Sequence, residues 1–173
     1  KHWETLGVWA DYLLKEGLDP ENQLCTDDFA GHLARNANLS VKAIMGIAGY
    51  GKLAEMLGDE EQAVRYLAVA REMAEAWERM ADDGDHFRLT FDKEGSWSQK
   101  YNLVWDKVWQ TTAFPERIAR KEVAYYLKKQ QSFGLPLDSR KTYTKVDWIL
   151  WTACLADTRE DFERLVEPVC KYV

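Results

Sequence analysis

The sequence predicts an all-α fold built from paired helical hairpins, and three observations support this. Apolar residues recur at three- and four-residue steps along most of the chain, and glycine, proline and acidic capping residues separate these stretches. Only residues 87–91 alternate as a strand would, and they do so weakly. With 173 residues, 46% hydrophobic and 30% charged, the chain can bury its own core. We therefore expect a single all-α domain over residues 1–173.

Three helices are predicted in the first half of the chain, over residues 3–16 and 40–57 and from Asp59 to about Asp82. The second contains several glycines, each of which destabilises a helix interior by about 1 kcal/mol, so we expect it to pack closely against a neighbour. The residues that mark the helix ends are Gly17, Pro20 and Gly58, together with the capping pair Asp59 and Gln62.

The second half is predicted to contain two helical turns over residues 102–109, a helix that starts at Pro115, and helices over residues 145–156 and 158–173. Residues 145–156 are apolar almost all round. That pattern predicts the most buried helix of the chain, covered on both sides. Residues 85–101 are predicted to be irregular, with a short strand at most.

Amphipathic helices alternate with helices that are apolar on more sides, which suits an outer and an inner ring of helices. A helical-repeat solenoid is the main geometric rival. Solenoid repeats recur at a fixed period of roughly 33 to 47 residues, and the chain has no such period. Long polar loops favour a toroid with its site at one end.

Several function classes are disfavoured by composition. The net charge of −6 repels nucleic acid, and no basic block offsets it. The sequence contains no run of about 18 apolar residues, which is the pattern that would predict a membrane-spanning helix. The cysteine and histidine spacings do not match a metal site, and no cofactor-binding motif is found. The three cysteines, an odd number, are expected to be free thiols.

The first candidate loop, residues 26–38, concentrates charged and amide side chains just before a helix. If one of Asp27 and Asp28 stays neutral beside its ionised neighbour, the pair can supply acid or base chemistry. His32 and Asn36 are then candidates for binding a polar substrate.

A structural interpretation of the same loop is equally open. Thr26 or Asp27 would cap a short turn, Arg35 would pair with a carboxylate, and Asn38 would cap the following helix. Asn38 also begins an N-x-S sequon, a pattern that is frequent by chance.

The second candidate loop, residues 95–102, combines aromatic, amide and ammonium groups. Trp97, Gln99, Lys100 and Tyr101 are the residue types that line a pocket for a small polar molecule. The alternative is a loop held in place by the packing of Trp97 and Tyr101, and both interpretations are compatible because these rings carry a polar atom on an apolar body.

The third candidate loop, residues 137–148, leads into the apolar segment and places three charged residues near a helix end: Asp138, Arg140 and Lys145. A carboxylate ligand or a shifted pKa is plausible there. Asp147 either adds acid/base chemistry or simply complements the helix dipole.

No standard nucleophile motif accompanies these loops, because G-x-S-x-G, S-x-x-K and H-E-x-x-H are all absent from the sequence. Cys25 and His32 are close in sequence, but sequence proximity is weak evidence for a catalytic pair.

The loops resemble the six-hairpin domain of the secreted glutaminase A family of fungi and bacteria. The matching segments are TDDFAGHLARNANLS at residues 26–40, YNLVWD at residues 101–106 and LDSRKTYTKVDW at residues 137–148. They occur in the order of the family, and the similarity runs from about Cys25 onward.

The resemblance implies an (α/α)6 toroid of which this chain holds the later hairpins, with a β-rich domain preceding it in the full-length protein. It also implies hydrolysis of glutamine to glutamate and ammonia in a secreted or periplasmic setting. On this hypothesis Asp27, Asp28 and Asp147 supply acid/base chemistry, Arg140 and Lys145 hold the substrate carboxylate, and the fragment alone is inactive.

Two alternatives remain open. Helical toroids also host glycoside hydrolases that use paired carboxylates. Trp97, Tyr101, Tyr143 and Trp148 lie near carboxylates in the sequence, and such rings stack on sugars. A non-catalytic helical module is the third possibility, which loops pointing away from one another would support.

Overall fold

The computed structural model describes residues 2–21 and 30–172, and this part of the chain is all-α, as predicted. No helix in it is long and apolar enough to cross a membrane. A 3₁₀ turn, Tyr101–Leu103, leads into the fourth helix. The seven α-helices are α1 (Trp3–Glu16), α2 (Ala37–Met56), α3 (Glu60–Ala81), α4 (Val104–Trp109), α5 (Glu116–Lys129), α6 (Val146–Ala153) and α7 (Arg159–Cys170).

Helix α2 begins three residues earlier than predicted, because Asn36 and not Asn38 is its N-cap. Asn36 is extended, and its side-chain oxygen accepts a hydrogen bond from the Leu39 amide at 2.9 Å. Asn38 is buried inside the helix, where its side-chain oxygen accepts from the Asn102 amide at 3.4 Å. A buried Asn38 is also inaccessible as a glycosylation site in the folded chain.

The connection between α2 and α3 is confirmed as predicted. Gly58 adopts φ +78°, the left-handed conformation that ends many helices. The Asp59 carboxylate then accepts a hydrogen bond from the Gln62 amide at 3.2 Å and caps α3. Short-range sequence signals therefore determine this turn.

Residues 82–100 form an irregular connection, as expected. Within the described ranges only isolated bridges form, such as those between Asn36 and Thr90 and between Asp82 and Phe87, and no strand is built. The predicted short strand is therefore reduced to single pairings.

The core is centred on α2, which packs along α3. The indole Nε1 of Trp77 donates to the carbonyl of Ala37 at 2.8 Å and joins the two helices. The prediction that residues 145–156 form the most buried helix is wrong. In α6 only Ile149, Thr152 and Ala153 are buried, because a helix that is apolar all round is covered only as far as its neighbours reach.

Candidate functional site

The second and third candidate loops lie side by side. The backbone N–H of Gln99 donates to the carbonyl of Leu137 at 2.8 Å, and the backbone N–H of Ser139 donates to the carbonyl of Trp97 at 2.9 Å. Two loops that are some 40 residues apart in sequence are thus held together by backbone hydrogen bonds. The structure brings their candidate residues to one place.

The first loop reaches the same place through a contact between its Ala30 and Arg140 of the third loop. The Arg140 guanidinium donates to the Asp138 carboxylate from Nε at 3.0 Å and from Nη2 at 2.6 Å, and its Nη1 donates to the carbonyl of Ala30 at 3.3 Å. Asp138 is almost fully buried, whereas the Arg140 side chain is 24% exposed. Asp27 and Asp28 lie outside the described residues, just before Ala30 in the sequence.

An aromatic stack forms beside this junction. The rings of Tyr101 and Trp148 are parallel within 6°, with centroids 4.2 Å apart, and the ammonium of Lys145 lies 5.6 Å from the Trp148 ring. The buried Nε1 of Trp148 has no hydrogen-bond partner among the residues that the structure describes. A buried N–H without an acceptor is uncommon in proteins.

Gln99 is fully buried and bonded at both ends of its amide. Its Nε2 lies within hydrogen-bond distance of the carbonyls of Leu135 and Pro136 and of the Thr144 hydroxyl, at 3.0–3.2 Å. Its Oε1 accepts from the Thr152 hydroxyl at 2.9 Å. Gln99 therefore fastens the third loop to α6, and its amide is engaged by protein groups.

Lys100 is also fully buried. Its ammonium donates to the carbonyls of Phe87 and Ser98, both at 3.0 Å, and lies 3.5 Å from the Glu122 carboxylate. Burial lowers the pKa of Lys100, and the nearby carboxylates of Glu122 and Asp138 act in the opposite direction. The buried Lys100 ammonium thus holds the irregular connection, residues 82–100, together through hydrogen bonds to two of its carbonyls.

Glu122 and Tyr126 complete this buried network, which sequence reasoning missed. The Tyr126 hydroxyl bonds the Glu122 carboxylate and accepts from the Lys100 amide at 2.8 Å, while the same carboxylate accepts from the Phe87 amide at 2.8 Å. Burial, and then the Glu122 charge, raise the pKa of Tyr126 well above its usual value. The available signal was a glutamate on the apolar stripe of α5, next to Val123.

The remaining candidates are placed differently. Asn36 uses its side-chain oxygen to cap α2, and Arg35 pairs with Asp19 at 2.9 Å, as the structural interpretation expected of a carboxylate partner. His32 and Asp147 are exposed, Asp147 in the first turn of α6. The ring of Trp97 is buried in the core.

No three acidic, histidine or cysteine side chains approach one another as a metal site would require within residues 2–21 and 30–172. An apolar groove of about 480 Å³ lies between α1 and α2, and a smaller cavity of about 230 Å³ lies beside α4 and α5. Neither is lined by the candidate loop residues.

Comparison with known proteins links this arrangement to a family. The model of the glutaminase A six helical-hairpin domain matches residues 1–173. A glutaminase A from Aspergillus oryzae is 31% identical over 160 residues, which cover 90% of this chain and 23% of that protein. A probable glutaminase from Arthroderma benhamiae is 32% identical over an aligned stretch of 177 positions, which covers 86% of this chain and 20% of that protein. The chain thus spans less than a quarter of the length of these relatives.

Proposed function

Because the chain belongs to the glutaminase A family, through its six helical-hairpin domain, we propose that the full-length protein hydrolyses the side-chain amide of glutamine to glutamate and ammonia. The three loops described above would form part of its substrate site. The reaction adds water to the amide carbon and breaks the C–N bond, and the nitrogen leaves as ammonia after receiving a proton.

The observation that carries this proposal is the position of Arg140. Its guanidinium is fixed by Asp138 on one side and by the carbonyl of Ala30 on the other, where the second and third loops run together. A fixed, partly exposed guanidinium offers a substrate carboxylate a positioned positive charge, while its Nε and Nη2 donors are bound to Asp138. Glutamine carries such a carboxylate beside the amide to be cleaved.

The proposed roles follow from charge. Arg140 and Lys145 would hold the α-carboxylate of the substrate. Asp27, Asp28 and Asp147 would supply the general base that activates water and the acid that protonates the leaving nitrogen. Asp147 is exposed in the first turn of α6, two residues after Lys145, which is the N-cap of that helix.

We propose further that the full-length protein is secreted or periplasmic, that a β-rich domain precedes this one, and that other helical hairpins complete an (α/α)6 toroid. Six hairpins comprise twelve helices, and the described residues form seven. On this proposal the isolated chain lacks groups that complete the site and does not hydrolyse glutamine by itself.

The proposal is tested by ammonia release from glutamine with the purified full-length protein. Arg140→Ala should reduce kcat/KM about 10- to 150-fold, mostly through KM, because a charge-assisted hydrogen bond contributes about 1.5–3 kcal/mol. Asp28→Asn should reduce kcat, since it removes a titratable group and preserves shape.

Arg120→Ala is the matched control, because Arg120 forms an exposed pair with Asp157 away from the three loops. It should leave the kinetics unchanged. If the wild-type protein releases no ammonia from glutamine, the proposed activity is wrong. If the wild type is active and Arg140→Ala matches Arg120→Ala, the assigned role of Arg140 is wrong.

A further inference from the structure

Two buried asparagine residues join the first candidate loop to the second. Asn38 ends the first loop and lies in the first turn of α2, and Asn102 ends the second loop and lies in the 3₁₀ turn. The backbone N–H of Asn102 donates to Asn38 Oδ1 at 3.4 Å, and Asn102 Nδ2 donates to the Asn38 carbonyl at 3.2 Å. The pair therefore lies where the candidate loops meet.

These two hydrogen bonds determine which way each side-chain amide points. The atom of Asn38 that faces a backbone N–H must be its oxygen, and the atom of Asn102 that faces a carbonyl must be its nitrogen, because an amide oxygen only accepts and an amide nitrogen only donates. The other end of each amide has no hydrogen-bond partner within residues 2–21 and 30–172. The pair is thus left with the donors of Asn38 Nδ2 and the acceptor Asn102 Oδ1.

Both residues are more buried than residues with an unpaired amide group usually are. Asn38 is 3% exposed and Asn102 is 2% exposed. Most buried polar side-chain atoms in proteins have a partner, so these groups need an explanation. The same turn carries another case, because Tyr101 stacks on Trp148, whose buried Nε1 lacks an acceptor in the described part of the chain. Unpaired polar groups gathered at one turn indicate the position of a polar ligand.

A carboxamide complements the free groups of the pair. It offers one acceptor oxygen and two N–H donors, whereas a carboxylate offers only acceptors. A carboxamide can therefore accept from Asn38 and donate to Asn102 at the same time. A carboxylate would place one of its oxygens against the oxygen of Asn102.

We propose that Asn38 and Asn102 recognise the side-chain carboxamide of glutamine, an assignment that rests on the glutamine hydrolysis proposed above. Asn38 Nδ2 donates to the amide oxygen, and Asn102 Oδ1 accepts from the amide N–H. Negative charge grows on the amide oxygen as water adds to the carbon, so the bond from Asn38 becomes stronger in the transition state. Glutamate has no amide N–H, so the pair favours the substrate over the product.

Asn38→Asp in the full-length protein separates this role from a structural one. Aspartate keeps the oxygen that accepts from the Asn102 N–H, and a negative charge is favourable in the first turn of a helix. The change removes the Nδ2 donors and places an oxygen against the oxygen of the substrate. We expect kcat/KM for glutamine to fall about 10- to 150-fold at an unchanged unfolding temperature.

Gln62→Glu is the matched control, because it makes the same change from amide to carboxylate in the first turn of α3, outside the three loops. It should leave kcat/KM and the unfolding temperature unchanged. Asn102→Asp makes the opposite change, since it keeps an acceptor oxygen and removes the bond to the Asn38 carbonyl. It should lower the unfolding temperature. Wild-type kinetics for Asn38→Asp would overturn the proposal and leave the pair a structural one.

Product inhibition of the wild-type protein decides the question if Asn38→Asp is itself unstable. The inhibition constant of glutamate should exceed the KM for glutamine about tenfold or more, since glutamate loses one hydrogen bond and gains a repulsive contact. A smaller ratio would contradict carboxamide recognition.

Failure of the proposed hydrolysis would give a different result. If the wild-type protein releases no ammonia, glutamine should still raise its unfolding temperature more than glutamate does, and Asn38→Asp should abolish the difference. That outcome would support carboxamide recognition without hydrolysis. Equal effects of glutamine and glutamate on the wild-type protein, or none, would show that both proposals are wrong.

Discussion

Two ion pairs in this chain have similar chemistry and different environments. Lys100 and Glu122 are fully buried, with ammonium and carboxylate 3.5 Å apart, and each makes further hydrogen bonds to backbone groups. Arg140 and Asp138 are 2.6 Å apart, but the arginine side chain is 24% exposed. They are electrostatically linked, since the Asp138 charge also acts on the pKa of Lys100.

The difference shows that charge clustering alone does not identify a site. The buried pair is surrounded by the protein groups that hold the irregular connection against α5, so it supports the loops. The Asp138–Arg140 pair lies where loops meet at the surface. A ligand can approach a cation that remains partly exposed, and it cannot approach one that is enclosed. Each of the following predictions tests this division.

Removing one partner of the enclosed pair should have the largest effect. Glu122→Ala leaves the Lys100 ammonium buried without its counter-charge and removes the acceptor of the Phe87 amide. We expect the free energy of unfolding to fall by about 3–5 kcal/mol, as for other broken buried pairs. Urea unfolding followed by tryptophan fluorescence would measure it.

The double variant Lys100→Met/Glu122→Leu is the matched control, because replacing both charges by apolar groups is often close to neutral. It should recover only part of the loss caused by Glu122→Ala, because the uncompensated charge is gone but the Phe87 amide and the carbonyls of Phe87 and Ser98 still lack these partners. A loss below about 1 kcal/mol for Glu122→Ala, the range typical of exposed pairs, would show that the buried pair does not support the fold.

The same deletion at the junction should be milder for stability. Asp138→Ala removes three hydrogen bonds from Arg140, but the partly exposed guanidinium can regain water. We expect a loss of about 1–3 kcal/mol in unfolding free energy. For the glutamine hydrolysis proposed for the full-length protein, a higher KM should accompany it, because Arg140 loses its fixed orientation.

Asp157→Ala is the control for that variant, since Asp157 forms an exposed pair with Arg120. It should change the unfolding free energy by less than about 1 kcal/mol and leave KM unchanged. If Asp138→Ala destabilised the protein as much as Glu122→Ala, the two regions would not differ as argued above.

Local signals in the sequence were sufficient for much of the fold. The Gly58 and Asp59 turn depends on neighbouring residues only, and it was predicted correctly. The start of α2 was not, because Asn36 and Asn38 are equally good caps by type. The choice depends on a contact distant in sequence, in which the Ala37 amide donates to the carbonyl of Leu89 at 2.9 Å.

For the candidate site, local sequence could indicate only which loops carry polar residues, because the contacts of those residues involve partners distant in the sequence. Residue types marked the loops, but the sequence could not show which polar groups are already bonded to the protein. Gln99 and Lys100 are enclosed, and the partner of Lys100, Glu122, lies on α5, 22 residues away in the sequence. The burial of α6 was overestimated because hydrophobicity describes a tendency, whereas burial depends on what packs against the helix.

The smallest effect is expected at the Tyr101–Trp148 stack. There the ring of Trp148 packs against Tyr101, whereas its N–H makes no hydrogen bond in the described part of the chain, so one substitution can distinguish the two contributions. Trp148→Phe keeps an aromatic face against Tyr101 and removes a buried N–H that has no acceptor in the described part of the chain. Since no hydrogen bond is lost, we expect the unfolding free energy to change by less than about 1 kcal/mol in either direction.

Trp77→Phe is the contrasting variant, because the Trp77 indole donates to the carbonyl of Ala37. Trp77→Phe removes this hydrogen bond and buried volume from the core, and it should lower the unfolding free energy by about 1–3 kcal/mol. Equal losses for the two variants would mean that the Trp148 N–H has a partner in the folded full-length protein. A selective fall in glutamine hydrolysis with unchanged stability would place that partner in the substrate.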